Sequence, residues 1–86
     1  MKTDSGYGVI IHKKAKKFIE SQQPSKQRLI LNAIYNLPKY GDIKPVEGSK
    51  GVLRLRKGDY RIFYKVEHGE LMIYVIDAEN RGDAYK

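Results

Sequence analysis

The stretch Val52–Val66 reads V-L-R-L-R-K-G-D-Y-R-I-F-Y-K-V and decides the fold. Apolar and basic residues alternate on both sides of Gly58-Asp59, a pattern typical of half-buried β-strands. Glycine is favoured at the first central position of a two-residue type II′ turn. The stretch therefore predicts a β-hairpin in which Lys57 faces Tyr60 across the turn.

The predicted register assigns the side chains of the hairpin to two faces, because successive residues of a strand point to opposite sides. Arg56 then lies directly opposite Arg61, and like charges in such a pair repel each other. We interpret this repulsion as a sign that something anionic covers that face. One face carries Leu53, Leu55, Ile62 and Tyr64, and the other, here called the arginine face, carries Arg54, Arg56, Arg61, Phe63 and Lys65.

The rest of the chain predicts two helices and two more strands. Lys39–Gly51 contains several Gly and Pro residues without periodicity and predicts a loop, and Ala78–Lys86 predicts a polar tail. Ser25 is a candidate N-cap for the second helix. In chain order the elements are a strand at Tyr7–His12, helices at Lys13–Ser21 and Lys26–Leu37, the hairpin, and a strand at Leu71–Asp77.

The order β-α-α-β-β-β predicts a single α+β domain over residues 1–86. A helix hairpin packs on one face of a four-stranded, mostly antiparallel sheet. If Val66 faces Leu71, then Leu71, Ile73 and Val75 lie on the core face and Tyr74 lies beside the arginine face. Because no further element is available to cover the arginine face, we expect it to meet solvent or a partner.

The composition favours an anionic partner. The net charge is +7, the sequence pI is about 9.7, and there is no cysteine. The absence of cysteine excludes disulfides and thiolate metal sites. No apolar run approaches the ~20 residues that a bilayer span requires. We expect a cytoplasmic protein that has no membrane partner.

Cations interleaved with aromatic rings suit single-stranded nucleic acid, because guanidinium groups contact phosphates and rings stack on bases. The alternative is a solvated basic face on which arginine stems cover the rings. The predicted RNA-binding set is Arg54, Arg56, Lys57, Arg61, Phe63, Lys65 and Tyr74.

Arg81 and Tyr85 follow the last predicted strand and could fold back onto the arginine face. Neighbouring guanidinium groups would favour the phenolate of Tyr85, which could then act as a general base. A disordered polar tail remains the alternative. His12 and His68 lie away from the arginine face on the predicted pairing, and the acidic residues do not gather, so neither a two-histidine site nor a metal or cofactor is predicted.

Three segments together resemble the RelE/ParE superfamily of toxins from type II toxin–antitoxin systems, and the RelE-like branch in particular. They are K-K-A-K-K-F (Lys13–Phe18), L-R-L-R-K-G-D-Y-R-I-F-Y (Leu53–Tyr64) and N-R-G-D-A-Y (Asn80–Tyr85). The resemblance covers essentially the whole chain.

The resemblance implies an endoribonuclease that cuts messenger RNA in the ribosomal A site without a metal and is neutralised by an acidic antitoxin. By position, Arg61 would stabilise charge on the phosphate, and Arg54 would assist it or help to activate the nucleophile. Arg81 would support the leaving oxygen, and Tyr85 would act as base or orient the nucleotide. Arg56 is more often structural in such proteins.

Two alternatives remain open. Some relatives carry a lysine where this chain has Val52. A ParE-like toxin that inhibits DNA gyrase without cutting RNA would share the fold, and so would a catalytically weakened module that only binds an antitoxin.

Overall fold

A computed structural model of the chain describes residues 1–80, which form two helices and a five-stranded sheet. The sheet order is β1-β5-β4-β3-β2, with β1 parallel to β5 and the other neighbours antiparallel. The predicted α+β class is confirmed. The elements are β1 (Gly8–Ile11), α1 (Lys13–Glu20), α2 (Pro24–Tyr35), β2 (Asp42–Pro45), β3 (Leu53–Lys57), β4 (Tyr60–Glu67) and β5 (Met72–Asn80).

The prediction of four strands is wrong by one, because part of the predicted loop forms β2. This strand pairs antiparallel with β3 at the edge of the sheet. Ile43 is its half-buried residue and lies opposite Leu55, while the three other residues are exposed. One inward-facing side chain gives no alternation, so the sequence carried no periodic signal for this strand.

The predicted β3–β4 hairpin is confirmed in every pair from Lys57–Tyr60 to Leu53–Tyr64. Gly58 has φ +58°, in the left-handed region that glycine enters without a steric penalty. The turn and both strands are adjacent in sequence, so local chemistry alone determines this register.

The predicted register of the next hairpin is wrong. Val66 pairs with Ile73, and Leu71 lies in the turn, exposed and with φ +54°. The shift is two residues, so side chains keep their faces, and Ile73 and Val75 are buried as predicted.

The strand β5 extends three residues beyond its predicted end at Asp77. A register shift between Phe63 and Tyr64 places Ala78 opposite Ile62, and Ala78 is only 5% exposed. Because of this bulge, the side chain of Ala78 points into the core, and the strand continues to Asn80. Glu79, which the sequence assigned to a polar tail, becomes a strand residue.

The second helix starts earlier than predicted, at Pro24, with Gln23 rather than Ser25 as the N-cap. Proline suits the first position of a helix, because the N–H that it lacks would have no intrahelical partner there. Neither helix of residues 1–80 is long and apolar enough to cross a membrane.

Both helices pack on the core face of the sheet, α1 on β5 and α2 on β3. The Tyr60 ring meets Phe18 edge-on at 6.0 Å between centroids, and its hydroxyl donates a 3.0 Å hydrogen bond to Gln22. The fully buried large side chains are Ile30, Ile34, Leu37, Leu55, Ile62, Tyr64, Ile73 and Val75. This packing leaves the arginine face on the side of the sheet away from the helices.

Candidate functional site

The arginine face is built from alternate residues of β3 and β4. Arg56 pairs directly with Arg61, and Arg54 pairs with Phe63, as predicted. The residues between them, such as Leu55 and Ile62, are buried in the core. Strand alternation therefore places these cations and the Phe63 ring together on one surface.

Glu79 forms an ion pair with Arg61 from the directly opposite position on β5. The side chain of Arg61 is 31% exposed and that of Glu79 is 45% exposed. Glu79 thus supplies an anion inside the chain that offsets the repulsion between Arg56 and Arg61. Part of the negative charge that the Arg56–Arg61 pair led us to expect therefore comes from the chain itself.

A second ion pair on this face joins Arg54 to Asp42. Its Nη2 lies 3.6 Å from Oδ1 of Asp42, the first residue of β2. The side chain of Arg54 is 20% exposed, whereas that of Asp42 is 55% exposed. This carboxylate was not expected beside Arg54, because the sequence pattern did not predict β2.

The arginines keep donor groups that these ion pairs do not use. The Nε atoms of Arg54 and Arg61 are buried and have no hydrogen-bond partner. Arg56 is exposed and makes no ion pair within residues 1–80. Guanidinium groups bind phosphate oxygens through several parallel N–H donors. The exposed Arg56 and the partly exposed Arg61 can therefore bind a phosphate, Arg61 in addition to, or in place of, the Glu79 carboxylate.

Lys57 does not belong to the arginine face. It pairs with Tyr60, a core residue that is 5% exposed, so strand alternation directs Lys57 to the helix side of the sheet. Lys57 therefore does not share a face with Arg54 and Arg56, and its place in the RNA-binding set stays a prediction. Lys65 does lie on the arginine face and is exposed.

Tyr74 lies at the far end of the sheet from Arg61. It pairs with Lys65, four residues along β4 from Arg61, or about 13 Å at the usual strand rise. Its hydroxyl donates a 2.9 Å hydrogen bond to Glu70. This hydrogen bond is the main cause that raises the pKa of Tyr74, which favours its neutral form.

The two histidines lie in different places. Nδ1 of His68 is 2.7 Å from the Tyr7 hydroxyl, where the β4–β5 turn meets the start of β1. The His12 ring is 6.4 Å from the Tyr74 ring, so His12 lies nearer to the predicted RNA-binding set than expected. Residues 1–80 contain no group of three or more His, Cys, Asp or Glu side chains that could hold a metal ion.

Comparisons with solved structures identify the fold. The archaeal RelE–RelB complex from Pyrococcus horikoshii OT3 matches with a TM-score of 0.70 and 28% identity, over 88% of this chain and 96% of that chain. The RelB–RelE complex from Methanococcus jannaschii matches with a TM-score of 0.67 and 24% identity, over 90% and 95%. The isolated E. coli RelE toxin matches with a TM-score of 0.71 and 15% identity, over 87% and 84%.

The fold of the chain is RelE-like. The resemblance to RelE-like toxins of toxin–antitoxin systems, predicted from three motifs, is confirmed by these structures. No protein-family model matches the sequence, and a search of curated proteins found no significant match.

Two predicted catalytic residues of this RelE-like chain, Arg81 and Tyr85, lie outside the described residues. Their roles stay predictions. The described part of the candidate site consists of Arg54, Arg56, Arg61, Phe63 and Lys65, together with the carboxylates of Asp42 and Glu79 that the sequence analysis did not assign to it.

Proposed function

We propose that this chain is the toxin of a toxin–antitoxin pair and that it cuts messenger RNA on the ribosome without a metal ion. The observation that carries the proposal is the cluster of Arg54, Arg56 and Arg61 on the face of a RelE-like sheet that lies away from the helices. Action on the ribosome would place the protein in the cytoplasm, and a toxin–antitoxin pair of this type would belong to a bacterium or an archaeon.

In the proposed reaction, the 2′-hydroxyl of the RNA attacks the adjacent phosphorus atom. The O2′–P bond forms, the P–O5′ bond breaks, and the products are a cyclic phosphate and a 5′-hydroxyl. Negative charge grows on the phosphate oxygens, and positioned cations stabilise such charge. Arg61 would contact these oxygens, and Arg54 would assist it or help to activate the nucleophile.

The remaining roles in the reaction are assigned to Arg81 and Tyr85 by their positions in the RelE-like motif. Tyr85, as its phenolate, would accept the proton of the 2′-hydroxyl or orient the nucleotide. Arg81 would support the leaving O5′ as it gains charge, and O5′ would take its proton from water. General acid–base assistance of this kind typically contributes ~10²–10⁴-fold to a rate.

Binding of the substrate would change the ion pair at Arg61. A phosphate and the Glu79 carboxylate both need the same planar set of donors, so the incoming phosphate would replace Glu79 or share the guanidinium with it. Arg56, which makes no ion pair within residues 1–80, would meet the phosphate backbone first.

Mapped cleavage during translation in a reconstituted system tests the proposal. The wild-type protein should cut mRNA on the ribosome, and Arg61→Ala should slow cleavage by at least ~100-fold, the usual effect of removing one charge-stabilising donor. Arg28→Ala is the matched control, because it removes an arginine of α2 rather than of the arginine face. Intact mRNA in a system whose translation nevertheless stops would refute nuclease activity.

We also propose an acidic antitoxin segment as the inhibitor that covers the arginine face. The matched complexes pair RelE with RelB, which supports an antitoxin partner for this chain. The charge of +7 supports an acidic one.

A non-nuclease toxin that inhibits DNA gyrase is the second candidate. The observation that favours it is the ion pairing of both Arg54 and Arg61, which lowers the positive charge available for a scissile phosphate. A DNA supercoiling assay decides this point. Unchanged gyrase activity at high protein concentration rules out this candidate.

A further inference from the structure

A pocket of about 370 Å³ lies where the end of α2 meets β2 and the β3–β4 hairpin. Its volume falls within the range of roughly 300–1,000 Å³ that is usual for ligand sites. Ala33 and Leu55 contribute an apolar floor. The polar side chains that line it are Asn36, Tyr40, Asp42, Arg56 and Lys57.

Gly41 holds the backbone close to the floor of this pocket. A Cβ atom at Gly41 would lie 2.5 Å from Cδ1 of Leu55, and its φ of +139° lies outside the range of most L-residues. The backbone thus approaches β3 as only glycine allows. The neighbouring Tyr40 is 58% exposed, and Nζ of Lys39 lies 5.5 Å from the centre of its ring.

The charge in the pocket is predominantly positive. Arg56 and Lys57 both line it, and Asp42, its carboxylate, is already paired with Arg54. Arg56 belongs to two surfaces, because it also lies on the arginine face directly opposite Arg61. A strand of RNA whose phosphate contacts Arg61 would therefore reach the pocket by passing Arg56.

We propose that this pocket binds the nucleotide next to the scissile one in single-stranded RNA. The base stacks on Tyr40, and its phosphate lies near Arg56 and Lys57. This subsite rests on the proposed function, since it places the substrate of that same reaction. It also gives Lys57, which faces away from Arg54 and Arg61, a role in RNA binding.

The lining favours a nucleotide over an acidic protein segment. Aromatic rings stack on any base, and amide and carboxylate groups such as those of Asn36 and Asp42 can bond to base edges. An acidic side chain has no ring that could stack on Tyr40.

Fluorescence anisotropy tests the subsite with a labelled single-stranded hexaribonucleotide whose 2′-hydroxyls are all methylated, so that it cannot be cut. Tyr40→Ala should weaken binding by at least ~5-fold, the low end of the usual stacking contribution, while Tyr40→Phe keeps the ring and should bind as the wild type does. Lys57→Gln should also weaken binding. The matched controls are Tyr35→Ala and Lys26→Gln, an exposed tyrosine and a lysine of α2 that do not line the pocket.

Each further outcome counts against the subsite. If Tyr40→Ala and Lys57→Gln bind RNA as the wild type does while Arg61→Ala does not, the subsite is wrong and the proposed function stands. If a hexaglutamate peptide displaces the RNA and loses the same affinity in Tyr40→Ala, the pocket binds acidic protein instead. Failure of the proposed function is separate, because it shows as intact mRNA on the ribosome whatever the binding result.

Discussion

Glu79 and Asp42 each place a carboxylate beside an arginine that the proposed reaction needs. Both were out of reach of sequence reasoning for one reason: their neighbours are set by strand pairing over long separations. Asp42 meets Arg54 only because β2 exists, and Glu79 meets Arg61 only because a bulge extends β5. The arginines themselves were predictable, because their positions follow from a local turn.

Glu79→Gln should strengthen binding of single-stranded RNA at low salt, by up to about 10-fold, because it frees Arg61 and removes one negative charge. The gain should shrink as salt screens the face. Glu20→Gln makes the same change of charge at the last residue of α1 and is the control. Anisotropy at two salt concentrations measures the effect. Weaker binding by Glu79→Gln would instead show that Glu79 positions Arg61 for RNA.

The buried hydroxyl of Tyr64 leads us to expect a loss of stability at high pH. Its hydroxyl is buried without a hydrogen-bond partner, and burial raises its pKa to about 12. In the unfolded chain the same group titrates near pH ~10. The unfolded state therefore loses this proton first. The titration of Tyr64 makes no contribution to the free energy of unfolding below about pH 10 and a growing unfavourable one as pH rises to about 12.

Chemical denaturation of Tyr64→Phe measures this contribution. At neutral pH the variant should be more stable by about 1 kcal/mol, because it removes an unpaired buried hydroxyl. Between about pH 10 and pH 12 its free energy of unfolding should fall less steeply than that of the wild type. Tyr40→Phe removes the hydroxyl of an exposed tyrosine and is the control. Equal slopes for wild type and Tyr64→Phe would contradict the assignment.

At the scale of elements, the hairpin is the part that the sequence predicts best. Alternation and a two-residue turn are both local, and every predicted pair of β3 and β4 is present. The β4–β5 pairing was less predictable, because a four-residue turn and a bulge each add freedom to the register. Ile73 and Val75 nevertheless lie on the predicted face of the sheet, because a shift by one residue would expose both side chains.

Gly58→Ala should lower the free energy of unfolding by about 1 kcal/mol. Nothing lies within 4 Å of a Cβ at Gly58, so the whole cost arises from its positive φ. Gly69→Ala is the matched control in the next turn, where there is equal space and φ is not in that region. Chemical denaturation of both variants measures the difference. Equal stabilities would show that the hairpin turn does not need glycine.

In the whole molecule, the two faces of one sheet have different roles. Its inner face packs against the helices, and its outer face presents the arginines. Substitutions on the outer face should therefore affect the proposed RNA cleavage more than folding. Ion pairs at partly exposed sites contribute only ~0–1 kcal/mol to stability, which supports this separation for Arg61 and Glu79. The order of elements was enough to predict the α+β class. The edge strand β2 and the pocket beside it form only through tertiary contacts, so the sequence pattern did not predict them.

In the proposed function, the 2′-hydroxyl of the RNA attacks a phosphate held by the arginine face. This step can be tested with two mRNAs on programmed ribosomes, one all-ribose and one with a single 2′-deoxyribose at the mapped cut site. We expect cleavage of the all-ribose mRNA with a new 5′-hydroxyl end, and an intact bond at the deoxyribose. Equal cleavage of both mRNAs, or cleavage of neither, would contradict this proposal.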